Sequence, residues 1–142
     1  MARIIAFDFG TKRTGIAVTD SLGIIAGPLA VIEEPKLYEF IRDYFSKNTI
    51  SIIVIGKPKH LSGEDSGPLQ ALNNFTAFFK NQYPKIPVVF IDERFTSVMA
   101  QKTIQASGIN KKARSDKSLT DRIAAVIILQ SYLEQKEFGR WH

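Results

Sequence analysis

The sequence predicts an α/β fold: a mixed five-stranded sheet, three antiparallel strands followed by two parallel crossovers, with helices on both faces. Three observations carry this. The first third of the chain holds three β-rich apolar runs, joined by connections too short for anything but hairpins. The hydrophobic period then lengthens to that of a helix and alternates between strand and helix. Such alternation calls for parallel strands linked by crossovers, which are right-handed in nearly all proteins.

The first strand is Arg3 to Phe9, an apolar run. Gly10 to Arg13 is a turn, and Thr14 to Thr19 is the second strand. Asp20-Ser21-Leu22-Gly23 is a turn signal, followed by a third strand from Ile24 to Ile32. Leu37, Phe40, Ile41, Tyr44 and Phe45 then follow helical spacing, with Pro35 just before them. Ser51 to Ile55 reads as a buried strand, and Ser62 to Gly67 as a polar loop. Pro68 suits the first position of a helix carrying Leu69, Leu72, Phe75 and Phe79. Val88 to Ile91 is the last strand. Thr96 can cap a helix that Gly108 stops after Ser107, and Ser118 starts the final helix.

At 142 residues the chain suits a single domain, 1–142, in which about 137–142 form a frayed tail ending in Trp141 and His142. The net charge of +5 favours nucleic acid or another polyanion as partner. With no cysteine, disulfides and Cys-ligated zinc or iron–sulfur sites are excluded. No apolar run approaches the roughly 18 residues needed to span a bilayer. The strand pattern begins at the N-terminus and leaves no room for a signal peptide. A cytoplasmic setting with no membrane association is expected.

Three acids stand where a phosphate-cleaving site needs them. Asp8 follows the run Ile4-Ile5-Ala6-Phe7, and Glu93 follows Val88-Val89-Phe90-Ile91-Asp92. Asp121 lies near the start of the apolar helix Leu119 to Gln130. Acids at the ends of buried elements are costly unless a cation or hydrogen bonds compensate them. Converging, they would make an oxygen-rich site suited to Mg²⁺ or Mn²⁺. Asp8 and Glu93 fall at carboxyl ends of strands, where open α/β sheets place their sites.

Each acid also has a structural alternative. Asp8 could accept local hydrogen bonds in the turn. Glu93 could pair with Arg94 on the surface, and Asp92 competes with it because neighbouring strand residues point to opposite faces. Ser118 and Asp121 have the spacing of a capping box, which would make Asp121 a helix-start residue rather than a ligand.

Cationic residues cluster near the acids. Lys12 and Arg13 follow Asp8, and Lys57 and Lys59 follow the fourth strand. Arg94 follows Glu93, while Lys111, Lys112, Arg114 and Lys117 precede Asp121 and Arg122 follows it. On one edge they would form a cationic rim that holds phosphates around an acidic pit. The alternative is a set of solvated loops.

Four segments together resemble one family. They are Asp8-Phe9-Gly10-Thr11-Lys12-Arg13-Thr14-Gly15-Ile16-Ala17-Val18-Thr19-Asp20, Gly56-Lys57-Pro58, Asp92-Glu93-Arg94-Phe95-Thr96 and Asp121-Arg122-Ile123-Ala124-Ala125. In this order and spacing they look like the YqgF family of Holliday-junction resolvases, also regarded as nucleases that mature the 5′ end of pre-16S ribosomal RNA. The resemblance implies an RNase H-like fold, with Asp8, Glu93 and Asp121 as catalytic acids holding Mg²⁺ or Mn²⁺. It favours Glu93 over Asp92. It also implies hydrolysis leaving 5′-phosphate and 3′-hydroxyl ends, and a structured RNA precursor or branched DNA as substrate. Cutting two strands of a junction would benefit from a dimer, but no interface is legible in the sequence, so the expectation is a monomer or homodimer. Lys57 and Phe95 depart from the family's usual leucine and bear on substrate detail.

Two other classes compete. Sugar kinases, actin and Hsp70-type ATPases share an Asp-x-Gly-Thr hairpin, yet they close two domains over a nucleotide and this chain has length for one. Gly10-Thr11-Lys12 also lacks Walker A spacing. A non-catalytic nucleic-acid-binding module would keep the basic rim and use the acids only as caps.

Overall fold

The computed structural model of the chain describes residues 2–57, 66–92 and 117–140, excepting the side chains of 57, 66, 117–122 and 137–140. The elements are β1 (Arg3–Asp8), β2 (Arg13–Thr19), β3 (Ala26–Glu33), α1 (Glu34–Lys47), β4 (Ile50–Lys57), α2 (Ser66–Gln82), β5 (Val88–Asp92) and α3 (Lys117–Arg140). The strands form one sheet in the order β3-β2-β1-β4-β5. β1 pairs antiparallel with β2, and β2 antiparallel with β3. β4 pairs parallel with β1 on one side and with β5 on the other. The hairpins and crossovers expected from the sequence are thus present. The helix expected from Thr96 to Ser107 lies outside the described residues.

Several boundaries differ from the sequence expectation, for local reasons. β3 begins at Ala26 rather than Ile24 because the loop before it is bonded to itself. The Asp20 carboxylate accepts the Ile24 N–H at 2.8 Å and the Ile25 N–H at 3.1 Å, so neither amide is left for the ladder. Gly23 turns the chain at φ 71°, and its N–H donates to the Asp20 carbonyl at 3.0 Å. The two side-chain bonds hold the Asp20 carboxyl below its ordinary range. Pro35 and Pro68 lie inside the first turns of α1 and α2 rather than at or before their first residues. First-turn N–H groups have no intrahelical partner, so proline costs nothing there. The polar loop ends earlier than expected, because α2 begins at Ser66. α3 keeps helical backbone through Arg140, into the segment expected to fray.

The sheet separates two cores. On one face Ile5, Phe7, Ile16, Ile53 and Ile55 pack against Leu37 and Ile41 of α1 and Leu72, Phe75 and Phe79 of α2. On the other, Ile4, Ala6, Ala17, Val54 and Ile91 pack against Ala125, Ile128 and Leu129 of α3. β1 alternates strictly between them, as a strand buried on both faces must. A register shift between Arg3 and Ile4 lets β4 insert one extra residue against β1. This sends Ile50 to the first core and Ile52 to the second.

The two faces are filled differently. The α1/α2 side carries an aromatic stack built on the stripe Phe75, Phe79 and Tyr83, spaced by four along α2 and its end. Phe7 meets Phe75 edge-on, with centroids 5.3 Å apart. Truncating a fully buried ring such as Phe75 to alanine would cost about 3–5 kcal/mol. The α3 side is lined by small residues, Ala6, Ala17 and Ala125, which let the helix lie close to the sheet.

Candidate active site

Asp8 is the last residue of β1, at the centre of the sheet. Alternation places its side chain with Ile4 and Ala6 on the α3 face. Its partner across β2 is Gly15. On the β4 side, the pairing of Phe7 with Ile55 brings Gly56 next in line. The carboxylate thus emerges from a strand whose two neighbours carry no side chain beside it.

The turn after Asp8 is tight. A Cβ on Gly10 would collide with the Arg13 carbonyl oxygen, so only glycine fits. The Gly10 N–H reaches the Oγ1 of buried Thr14 at 3.4 Å. The turn is also tied to α1: the Glu34 N–H, an orphan donor of the helix start, donates to the Lys12 carbonyl at 2.8 Å. Thr11, Lys12 and Arg13 are exposed.

Because β1, β4 and β5 run parallel, their carboxyl ends share one edge. Lys57 and Asp92, the last residues of β4 and β5, are register partners there. Asp8, the exposed pair Lys12 and Arg13, and the backbone of Lys57 therefore lie at this edge. Alternation in β5 separates the two competing acids of that strand. Val88 packs into the α1/α2 core, and Phe90 shares a groove with Leu69 and Leu72 of α2. Asp92 follows Val88 and Phe90 by steps of two, so it lies on the α2 face, opposite to Asp8. Glu93 and Arg94 lie outside the described residues, as do Lys59, Lys111, Lys112 and Arg114.

α3 begins at Lys117, so Ser118 already has helical backbone and does not stand at the N-cap position that a capping box needs. Asp121 precedes Ala125 by one helical turn and Ile128 by two in the α3 backbone. Lys117 and Arg122 are placed by backbone alone.

Acids on the rim were missed by the reading of the sequence. Glu33 and Glu34 share a cleft with Thr11, Lys12, Arg13 and Pro35, so the rim is mixed in charge on this side. Their position directly before Pro35 was the available signal. Burial, and then the Glu34 charge, raise the Tyr38 phenol above its ordinary value.

A family description, RuvX Holliday junction resolvase, matches residues 2–135. The chain belongs to the RuvX family. This is the family that the motifs resemble under the name YqgF. A relative from Flavobacterium johnsoniae, named "Putative pre-16S rRNA nuclease", is 46% identical over 138 residues, covering 97% of this chain and 100% of the relative. One of the same name from Bacteroides thetaiotaomicron is 45% identical over 138 residues, with 97% and 100% covered. Among solved structures, Thermus thermophilus RuvC in complex with a Holliday junction substrate superposes with a TM-score of 0.63 at 11% identity, covering 96% of this chain and 97% of that one. Fowlpox virus resolvase, in complex with Holliday junction DNA, gives 0.55 at 16% identity, covering 94% and 97%. At such identities these structures speak for the fold, which is RNase H-like, as the resemblance implies. RuvX membership places the chain among nucleases.

Proposed function

We propose that the chain is a metal-dependent endonuclease that hydrolyses phosphodiester bonds in the 5′-end processing of pre-16S rRNA. The observation that carries this is Asp8: a carboxylate at the carboxyl end of the central strand, on the α3 face, between two glycine positions. That is the edge at which an open sheet of this kind carries its site. Glu93 and Asp121 complete the catalytic set in this reading. Placement of Asp92 on the α2 face favours Glu93 as the second acid, and Ser118 inside α3 weighs against a capping role for Asp121.

Among the described residues no three His, Cys, Asp or Glu side chains form a metal-binding group, and of the three proposed ligands only Asp8 has a described side chain. The donor set fits the group nonetheless. It consists of carboxylate oxygens in a chain without cysteine, which suits Mg²⁺ or Mn²⁺ over softer ions. Bound there, such ions would activate a water and stabilise the leaving oxygen. The chain's own part is to fix Asp8 through a buried strand and to hold phosphates with Lys12, Arg13, Lys57, Lys59, Arg94, Lys111, Lys112, Arg114, Lys117 and Arg122. Lys12 and Arg13 flank the acid on an exposed turn, as phosphate-positioning residues should.

The relatives' shared name favours the RNA precursor, and the family description supports a second reading, resolution of branched DNA. A 16S precursor as substrate would set this activity in the cytoplasm; among the described residues no helix is long and apolar enough to cross a membrane. The test is cleavage, with Mg²⁺ and with Mn²⁺, of a 5′-extended 16S precursor RNA, a four-way DNA junction and duplex DNA. Cutting of the RNA to 5′-phosphate ends, abolished in Asp8→Asn, is expected. Cutting of the junction alone would establish the second reading. Binding without cleavage of any substrate would leave only a nucleic-acid-binding module and overturn both.

A further inference from the structure

We propose that Phe9 is a positioning residue for Asp8, acting through a ring stack on α2; this rests on Asp8 being a catalytic acid. Asp8 is the terminal residue of β1, where a strand ordinarily loosens. Here both of its neighbours are anchored in the opposite core. Phe7 is fully buried and packs against Phe75 and Phe79, each with centroids 5.3 Å apart. Phe9 lies beyond the strand end and is only partly buried, yet its ring stacks on Phe75 at 4.6 Å and 24°. This is the shortest ring contact among the described residues. Phe75 is itself fully buried and contacts Phe79 edge-on at 4.9 Å, so Phe9 is braced against the centre of α2.

The consequence is geometric. Side chains alternate along β1, so pinning residues 7 and 9 to the α2 side directs residue 8 toward the α3 side. The tight turn at Gly10 fixes the next residue in turn. A carboxylate whose backbone is clamped on both sides keeps one orientation, which metal and phosphate sites require of their ligands. Phe9 then touches neither substrate nor metal. Its contribution is the direction of its neighbour.

The aromatic network supplies its own control. Phe45 stacks on Phe79 at 6.0 Å and meets Tyr83 at 4.7 Å, at the far end of the same cluster. There it lines a groove with Asn48 and Ile50, at the start of β4 and away from Asp8. Loss of the Phe45 ring should therefore weaken the same core without disturbing the acid.

The test compares Phe9→Ala, Phe9→Leu, Phe9→Tyr and Phe45→Ala in the full chain. The readouts are Tm, calorimetric Mn²⁺ affinity without substrate, and kcat and KM for the substrate cut by the wild type. Phe9→Ala should weaken Mn²⁺ binding and lower kcat, each on the order of 10-fold, as removal of a ligand's orienting partner does. KM should hold, Phe9→Leu should fall between, and Phe9→Tyr, which keeps the ring, should restore both values. Phe45→Ala should lower Tm with Mn²⁺ affinity unchanged. If Phe9→Ala and Phe9→Leu lose only Tm, like Phe45→Ala, the ring is mere core and the inference is overturned. Asp8→Asn separates this failure from that of the underlying reading: if it binds Mn²⁺ and cuts like wild type, the assignment of Asp8 itself is wrong.

Discussion

Asp8 and Gly15 face each other across the β1–β2 ladder and point to the same side of the sheet, the side covered by α3. Neighbouring pairs confirm the direction: Phe7 and Ile16 share one core, Ala6 and Ala17 the other. The buried glycine keeps the space beside the carboxylate free of a side chain of its own. Gly15→Val would fill it. Overpacking of this kind costs about 1–3 kcal/mol. Cleavage should fall far more than stability does, while the fold, read by circular dichroism, persists. A Gly15→Val protein that is destabilised but cuts at the wild-type rate would refute a role for that space.

Gly10 and Gly27 make a matched pair of tests. A Cβ on Gly10 would strike the Arg13 carbonyl oxygen, whereas at Gly27 nothing lies within 4 Å. Gly10→Ala must therefore move the backbone that opens β2, at about 1–3 kcal/mol. Gly27→Ala should be neutral or stabilise by about 0.4–1 kcal/mol, because it narrows the unfolded ensemble. Chemical denaturation of both variants checks this, and equal losses would contradict the tight turn.

Asp20 gives a pH dependence with a definite sign. Its carboxyl is held below the ordinary value of 3.8, first by the Ile24 N–H and then by the Ile25 N–H. A folded pKa below the unfolded one means a contribution fully present above 3.8 and lost as pH falls through the folded value. The Ile24 and Ile25 amide resonances should titrate together with a midpoint below 3.8, and Asp20→Asn should remove that titration. A midpoint at or above 3.8 would mean that the loop is not clamped in solution.

The basic segment 111–117 is proposed to hold phosphates. Changing Lys111, Lys112 and Arg114 together to alanine should weaken binding alike for different sequences. Each phosphate interaction removed should flatten the log–log salt dependence by about 0.7 to 0.9. Cleavage should recover in part at high substrate concentration, because the acids are untouched. Titrations at several salt concentrations decide it; an unchanged slope and affinity would make these cations a solvated set that takes no part in binding.

The sequence by itself determined the order of the described strands and helices and the alternation of side chains along a regular strand. Alternation and helical period are local properties, visible in runs such as Ile4 to Asp8 and the stripe Leu72, Phe75, Phe79. It also determined family, through four short motifs in order. Tertiary structure alone decided where strands meet in space. Gly15 lies across a hairpin that the short connection already predicts, but Gly56 is distant in sequence from Asp8, and only the parallel pairing of β4 with β1 brings it alongside. The start of β3 likewise depended on which acceptor the Ile24 and Ile25 amides chose, and the Asp20 carboxylate took them before the ladder could. The choice between Asp92 and Glu93 lay between these limits. Period two states that they diverge, but which face belongs to α3 is set by packing, because small residues such as Ala6 and Ala17 admit that helix on one side only.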